Sequence, residues 1–254
     1  MESRGIIMFN RGNNCIVRAI VAFETLRRHW DGPVTIYLED PYPHEFDKVC
    51  KGYNIDIVHN EKNHELKTLV RKVEMFSNPP YDRTMWLDLD IVVNGSIDEM
   101  FDYLDDADIS IPHFCGWKSN GRTMAKRVRK FEGIAEDRHI KKALEENPAV
   151  NTGVLTFRKS KAWTKFVQDW VELAQKGSKA KIFIPDEVAF QVLCPSTEEW
   201  GLKVNIAPIK FNVSVKFGGD VEDKRIIHFH GKKHCLDFPL CNFWKEEFEK
   251  MCEN

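Results

Sequence analysis

Residues 85–93 read Met85-Trp86-Leu87-Asp88-Leu89-Asp90-Ile91-Val92-Val93, two carboxylates set two apart inside an apolar run. In extended geometry, residues two apart project to the same side. Asp88 and Asp90 can therefore present oxygen to one hard divalent cation. A solvated strand edge is the ordinary home for such a pair. Here apolar residues precede and follow it, so the charges fall where burial is expected, and a bound cation would offset the cost of burying them.

Three further short runs of apolar and β-branched residues lie upstream of Thr84–Leu87: Gly5–Phe9, Val34–Leu38 and Ile55–Val58. Helical spacing fills two of the gaps. Asn14–Trp30 sets Ile16, Ile20, Phe23 and Trp30 on one face. His64–Phe76 does the same with Leu66, Leu69, Val70, Val73 and Phe76, leaving Lys67, Arg71 and Lys72 on the polar side. Strand–helix alternation in units of roughly thirty residues predicts a Rossmann-like α/β fold, a mostly parallel central sheet with helices on both faces. Ligands of such sheets sit at the carboxyl ends of the strands. Beyond Asp90 the alternation loosens. A strand is expected at Asp108–Pro112, then a polar, basic loop with helix from Lys118 to Lys142. A strand at Gly153–Arg158, a helix from Ser160 to Gln175, a short helix after Pro185, a strand at Arg225–His230 and a closing helix at Phe243–Met251 follow. With no repeat or linker in view, the expectation is one domain over 1–254. Its two halves are a nucleotide-binding half, 1–93, and an acceptor-binding half, 94–254.

Composition narrows the function. Thirty-seven basic residues against 39 acidic ones leave a net charge of −2, so no global field attracts nucleic acid or an anionic membrane. The seven cysteines lie at irregular spacings without a Cys-x-x-Cys pair, which favours reduced thiols over a zinc site or a disulfide framework. No apolar run approaches membrane length, and Met1-Glu2-Ser3-Arg4-Gly5 lacks the plan of a leader peptide. A soluble, cytoplasmic protein with no membrane span is expected.

Four more stretches carry chemistry. In Arg225-Ile226-Ile227-His228-Phe229-His230-Gly231-Lys232-Lys233-His234, a strand puts Ile226, His228 and His230 on one face. An imidazole ligand and a phosphate clamp could come from that segment. Asn151-Thr152-Gly153 precedes a strand, with a glycine that permits close approach. Asp186-Glu187 follows Pro185 at a helix start, where Asp is also a common cap. Arg71, with Lys72 as its rival, lies on the helix preceding the Asp pair.

At these residues the sequence resembles the GT-A glycosyltransferases, most closely family 8, which includes glycogenin and bacterial galactosyltransferases. The resemblance implies Mn2+ (or Mg2+) ligated by Asp88, Asp90 and His228, with His228-Phe229-His230-Gly231 matching the family's His-Phe-x-Gly motif. It also implies a nucleoside diphosphate sugar, a UDP-sugar, as donor. Phe9, Asn10, Arg11, Arg71, Asp88, Leu89, Asn151, Gly153, Gly231 and Lys233 would line the donor site. Asp186 and Glu187 would stand beside the reacting sugar as the catalytic pair. Glu187 replaces the family's glutamine, and a carboxylate there could serve as a base in an inverting reaction. The acceptor would be a hydroxyl on a glycan, a protein or a small molecule. Two alternatives are a haloacid-dehalogenase-like Mg-dependent phosphatase and a non-catalytic nucleotide-sugar-binding module. The phosphatases carry Asp-x-Asp after their first strand, whereas here it follows the fourth. Among the tryptophans, Trp163 and Trp170 are expected in the core, and Trp117 is the better candidate for stacking on an acceptor.

Overall fold

The computed structural model describes residues 2–12, 16–39, 42–61, 66–114, 121–146, 149–215 and 221–229. Its centre is a seven-stranded sheet. The strands are β1 (Arg4–Arg11), β2 (Val34–Glu39), β3 (Asp56–Asn60), β4 (Arg83–Leu87), β6 (Ile109–Pro112), β7 (Val154–Arg158) and β8 (Val204–Ala207), in the order β3-β2-β1-β4-β7-β6-β8. A smaller sheet joins β5 (Ile91–Val93), β10 (Ile226–His228) and β9 (Val213–Ser214), in the order β5-β10-β9. In the large sheet β1, β2, β3 and β4 pair in parallel, as do β6 and β8. Only β7 runs against its neighbours.

The expectation of a mostly parallel sheet in an α/β domain agrees with this architecture. The reversed β7 was not legible in the sequence, because a strand buried on both faces reads the same in either direction. Its burial explains why. Leu155 and Phe157 enter one core, while Val154 enters the other. Alternation on β1 and β4 divides the interior in the same way. Ile7, Phe9 and Trp86 face one side, and Ile6, Met8, Met85 and Leu87 face the other.

On the first side pack α3 (Thr68–Glu74), α6 (Asp137–Glu146), α7 (Lys161–Lys179) and α8 (Pro185–Leu193). On the second pack α1 (Ile16–Arg27), α2 (Glu45–Gly52) and α4 (Glu99–Asp102). Ser160 caps α7, its hydroxyl accepting from Trp163 N at 3.0 Å. The basic stretch after Lys118 is less loop-like than its charge suggests. It forms α5 (Gly121–Val128) and α6, which bury Met124, Val128, Ile140 and Ala143. Trp163 and Trp170 are fully buried, as expected of core residues. Trp117, Trp244 and the helix expected at Phe243–Met251 lie outside the described residues. Among the described residues no helix is long and apolar enough to cross a membrane.

Candidate active site

Strand order reverses direction between β1 and β4, and the Asp pair leaves β4 at that switch point. Two backbone bonds fix the turn that carries it. Asp88 N donates to Gly153 O at 2.8 Å, and Phe229 N donates to Asp90 O at 2.7 Å. The second bond brings the end of β10, and with it His228, across from a position 138 residues earlier in the chain. Ligand-capable atoms of Asp88, Asp90 and His228 all lie within 4.8 Å of one another. Nε2 of His228 stands 3.1 Å from Asp90 Oδ1 and 3.8 Å from Asp88 Oδ2. Two carboxylate oxygens and one imidazole nitrogen form a donor set that could hold one divalent metal ion.

The charge around these three side chains is arranged by burial. Lys72 Nζ, from α3, lies 2.7 Å from Asp88 Oδ1 and 5.3 Å from the centre of the Trp86 ring. The Trp86 indole donates to the same oxygen at 2.9 Å. Burial would lower the Lys72 pKa, but the Asp88, Asp186 and Asp90 carboxylates outweigh it and hold it above the ordinary value. His228 follows the same logic. Burial pulls its pKa down, and Asp90 and then Asp88 more than reverse that.

α8 delivers the acidic pair. The helix begins at Pro185, so Asp186 and Glu187 occupy its first turn. The N-cap position belongs to Ile184, which makes no side-chain cap. Ile184 is left-handed (φ 47°, ψ 59°), an expensive conformation for a β-branched residue. The Trp170 indole donates to Asp186 O at 2.7 Å and holds this turn down. Burial pushes the Asp186 carboxyl up to about 6, with Lys72 pulling the other way. Its buried Oδ1 has no hydrogen-bond partner among the described residues. Burial, and then Asp186, push Glu187 up to about 7. The Glu187 carboxylate accepts from Arg127 NH1 of α5 at 3.3 Å and from Asn151 Nδ2.

Asn151 and Gly153 pack beside His228. Gly153 N donates to Asn151 Oδ1 at 2.9 Å. A Cβ on Gly153 would stand 2.1 Å from His228 Cε1, so only glycine admits the imidazole. The close approach foreseen at Gly153 is thus made by a side chain of the protein itself. Asn212, between a short helical turn and β9, accepts from His228 Nδ1 at 3.0 Å and reaches Asn151 with its amide nitrogen.

Of the remaining expected donor residues, Phe9, Asn10 and Arg11 lie on β1, Arg71 on α3, and Leu89 between Asp88 and Asp90. Phe9 and Leu89 are buried in the two cores. Asn10 donates to Gly12 O at 3.0 Å, and its buried Oδ1 has no hydrogen-bond partner among the described residues. Arg11 and Arg71 converge on Glu39, which closes β2 and is fully buried. Arg11 Nε lies 3.2 Å from Glu39 Oε2, and Arg71 also pairs with Glu74. Arg71 therefore serves the Glu39 cluster, while its rival Lys72 meets the Asp pair. Gly231 and Lys233, with His230 and Lys232, lie outside the described residues. Glu39, Arg127 and Asn212 were not singled out in the sequence. The only hint of Asn212 there is a lone amide between Phe211 and Val213.

No family model matches the sequence, and no curated protein matches it. Solved structures do match. The chain superposes on the galactosyltransferase LgtC in complex with donor and acceptor sugar analogs, with a TM-score of 0.65 and 13% identity over 97% of this chain and 94% of that one. It matches the glycosyltransferase GlyE of Streptococcus pneumoniae TIGR4 with a TM-score of 0.67 and 14% identity, covering 98% of this chain and 60% of that one. Mouse xyloside xylosyltransferase 1, in its apo form, matches with a TM-score of 0.53 and 13% identity over 89% of this chain and 97% of that one. At such identities the likeness establishes architecture. The fold is the GT-A fold of these glycosyltransferases, in a single domain.

Proposed function

We propose that this chain transfers a glycosyl group from a nucleoside diphosphate sugar, a UDP-sugar, to an acceptor hydroxyl on a glycan, protein or small molecule. The observation that carries the reading is the convergence of Asp88, Asp90 and His228 at the switch point of a GT-A sheet. These three would hold Mn2+ or Mg2+. When bound, the cation supplies Lewis-acid neutralisation of the charge that builds on the diphosphate leaving group.

The protein's own groups do the rest. Lys72 adds a fixed positive charge beside Asp88 and faces the same leaving group. Arg11, Asn10 and Phe9, at the carboxyl end of β1 within the half 1–93, border the nucleotide. Asp186, with a buried oxygen left over, accepts a hydrogen bond from a donor-sugar hydroxyl, which removes the cost of that orphaned acceptor. Glu187 is held by Arg127 and Asn151 beside the reacting carbon, and the half 94–254 supplies the acceptor's side of the cleft. The resemblance also assigns Gly231 and Lys233, outside the described residues, to the phosphate site.

A screen of nucleoside diphosphate sugars tests the reading, with Mn2+-dependent hydrolysis and thermal stabilisation as readouts. One UDP-sugar should be hydrolysed slowly, and only with Mn2+ or Mg2+ present. Release of phosphate from simple phosphomonoesters, with no nucleotide-sugar bound, would instead favour the phosphatase alternative. Tight, metal-dependent nucleotide-sugar binding without turnover on any acceptor would favour the binding module.

A further inference from the structure

We infer that Asn212 is a positioning residue that dictates which nitrogen of His228 faces the cation, and that the direction of this relay is set by one backbone N–H, that of Gly153. The inference rests on the metal centre proposed above. A peptide N–H can only donate, so the 2.9 Å bond from Gly153 N identifies the Asn151 atom it meets as Oδ1. The other end of that amide is then Nδ2, which donates to Glu187 Oε2. Asn212 Nδ2 lies 3.2 Å from Asn151 Oδ1 and 3.4 Å from Asn151 O, two atoms that can only accept. The Asn212 amide is therefore oriented as well, and its Oδ1 is the atom 3.0 Å from His228 Nδ1. An amide oxygen cannot donate, so Nδ1 carries a proton. When the ring holds only that proton, its lone pair sits on Nε2, the nitrogen directed at Asp90 and Asp88. Asn212 and His228 are both buried, at 0% and 2% exposure, so water does not compete for either bond. The same relay ends on Glu187, tying the orientation of the acidic pair to that of the metal ligand.

Two substitutions separate the relay from simple packing. Asn212→Leu keeps the branched heavy-atom skeleton and removes the acceptor. Asn212→Asp keeps an acceptor for Nδ1–H and removes the donor to Asn151. Titration with Mn2+ followed by electron paramagnetic resonance, without nucleotide, reads the affinity of each. Thermal melting checks that each is folded. We expect Asn212→Leu to weaken Mn2+ by about 10–100-fold, and Asn212→Asp to stay within about threefold of wild type. In Zn2+-loaded wild type, nitrogen NMR should show a slowly exchanging proton on Nδ1 of His228. A folded Asn212→Leu protein with wild-type Mn2+ affinity overturns the relay, as does a proton found on Nε2 with Nδ1 bound to zinc. The zinc experiment needs no variant, so a misfolded Asn212→Leu protein does not shield the inference. A wild-type protein that binds no Mn2+ overturns the cation centre itself, a different result from a centre that binds Mn2+ and ignores residue 212.

Discussion

The imidazole of His228 lies against the backbone of Gly153 so closely that a Cβ there would stand 2.1 Å from Cε1 and 2.8 Å from Nδ1. No shift of a flexible tip relieves such a contact, because the ring is held by Asn212 on one side and Asp90 on the other. Gly153→Ala should therefore displace the imidazole while leaving the sheet intact. Mn2+ affinity is expected to drop about 10–100-fold, the range for disturbed ligand support. Isothermal calorimetry with Mn2+, paired with circular dichroism to monitor the fold, measures this. Undiminished affinity would mean His228 does not need its present position.

Removing one of the three candidate ligands outright should be more severe. Asp88→Ala, Asp90→Ala and His228→Ala are each expected to abolish Mn2+-dependent hydrolysis of the donor while the protein remains folded. His230→Ala should do less, because His228 is the imidazole that stands 3.1 Å from Asp90 Oδ1. A Mn2+-dependent hydrolysis assay distinguishes them, and an active Asp90→Ala protein would sink the assignment of the cation site.

Lys72 and Arg71 are adjacent, and the structure gives them different work. Lys72→Met removes the cation beside Asp88 and should cut donor turnover by about 100-fold or more, on the scale of one fixed electrostatic contact. Arg71→Met removes one of the two guanidinium partners of fully buried Glu39. Its main effect should be on stability, about 3 kcal/mol, the lower end for breaking a buried pair, since Arg11 remains. Urea melts and nucleotide calorimetry on both variants check the division. A stable Arg71→Met protein that has lost nucleotide binding would reverse it.

The difference between these neighbours also marks what the sequence could carry. Asp88 and Asp90 were legible because apolar residues surround them, and β1 to β4 were legible from their apolar, β-branched runs. Helical spacing put Arg71 and Lys72 on the polar side of their helix together. Lys72 is instead buried, because Asp88 compensates it. Glu39 and Asn212 owe their roles to partners 32 and 61 residues away, which no local pattern encodes. β10 falls inside the strand expected at Arg225–His230, but β5 and β9, at three and two residues, are too short to show a period. Without that small sheet, His228 has no visible route to Asp90.

The acidic pair makes stability depend on pH. Asp186 and Glu187 titrate in the folded protein near 6 and 7, above their ordinary values of 3.8 and 4.5, chiefly through burial. Raised pKa values mean the folded state binds more protons than the unfolded one across that window. Their contribution to stability is thus fully present below about pH 4 and is lost as pH rises through 6 to 7. The metal-free protein should melt at a lower temperature at pH 8 than at pH 5, and Glu187→Gln should flatten that slope. Melting curves without metal across this range test it. A rising melting temperature for the wild type would show that the pair is ionised at no cost.

The last prediction concerns the reacting sugar. If Asp186 holds a donor hydroxyl and Glu187 lies beside the anomeric carbon, both act after the nucleotide is bound. Asp186→Asn and Glu187→Gln should then bind the nucleoside diphosphate as wild type does, in contrast to the ligand variants. Asp186→Asn should slow transfer by about 100-fold or more, the scale for a positioned polar group at the reacting centre. Glu187→Gln separates two stereochemical courses, because glutamine is the residue found at the corresponding place in the retaining family 8 enzymes that the sequence resembles. In a retaining reaction much activity survives and proton NMR of the product shows the donor's anomeric configuration. In an inverting reaction with Glu187 as base, transfer nearly stops and the wild-type product is inverted. Glutamine can also accept with only one oxygen, so either the Arg127 or the Asn151 bond is lost in this variant. Arg127→Met controls for that loss, since it removes one of the same bonds and leaves the carboxylate in place. Wild-type transfer rates in both Asp186→Asn and Glu187→Gln would remove the pair from the reaction, and its burial would then have to be explained by the fold alone.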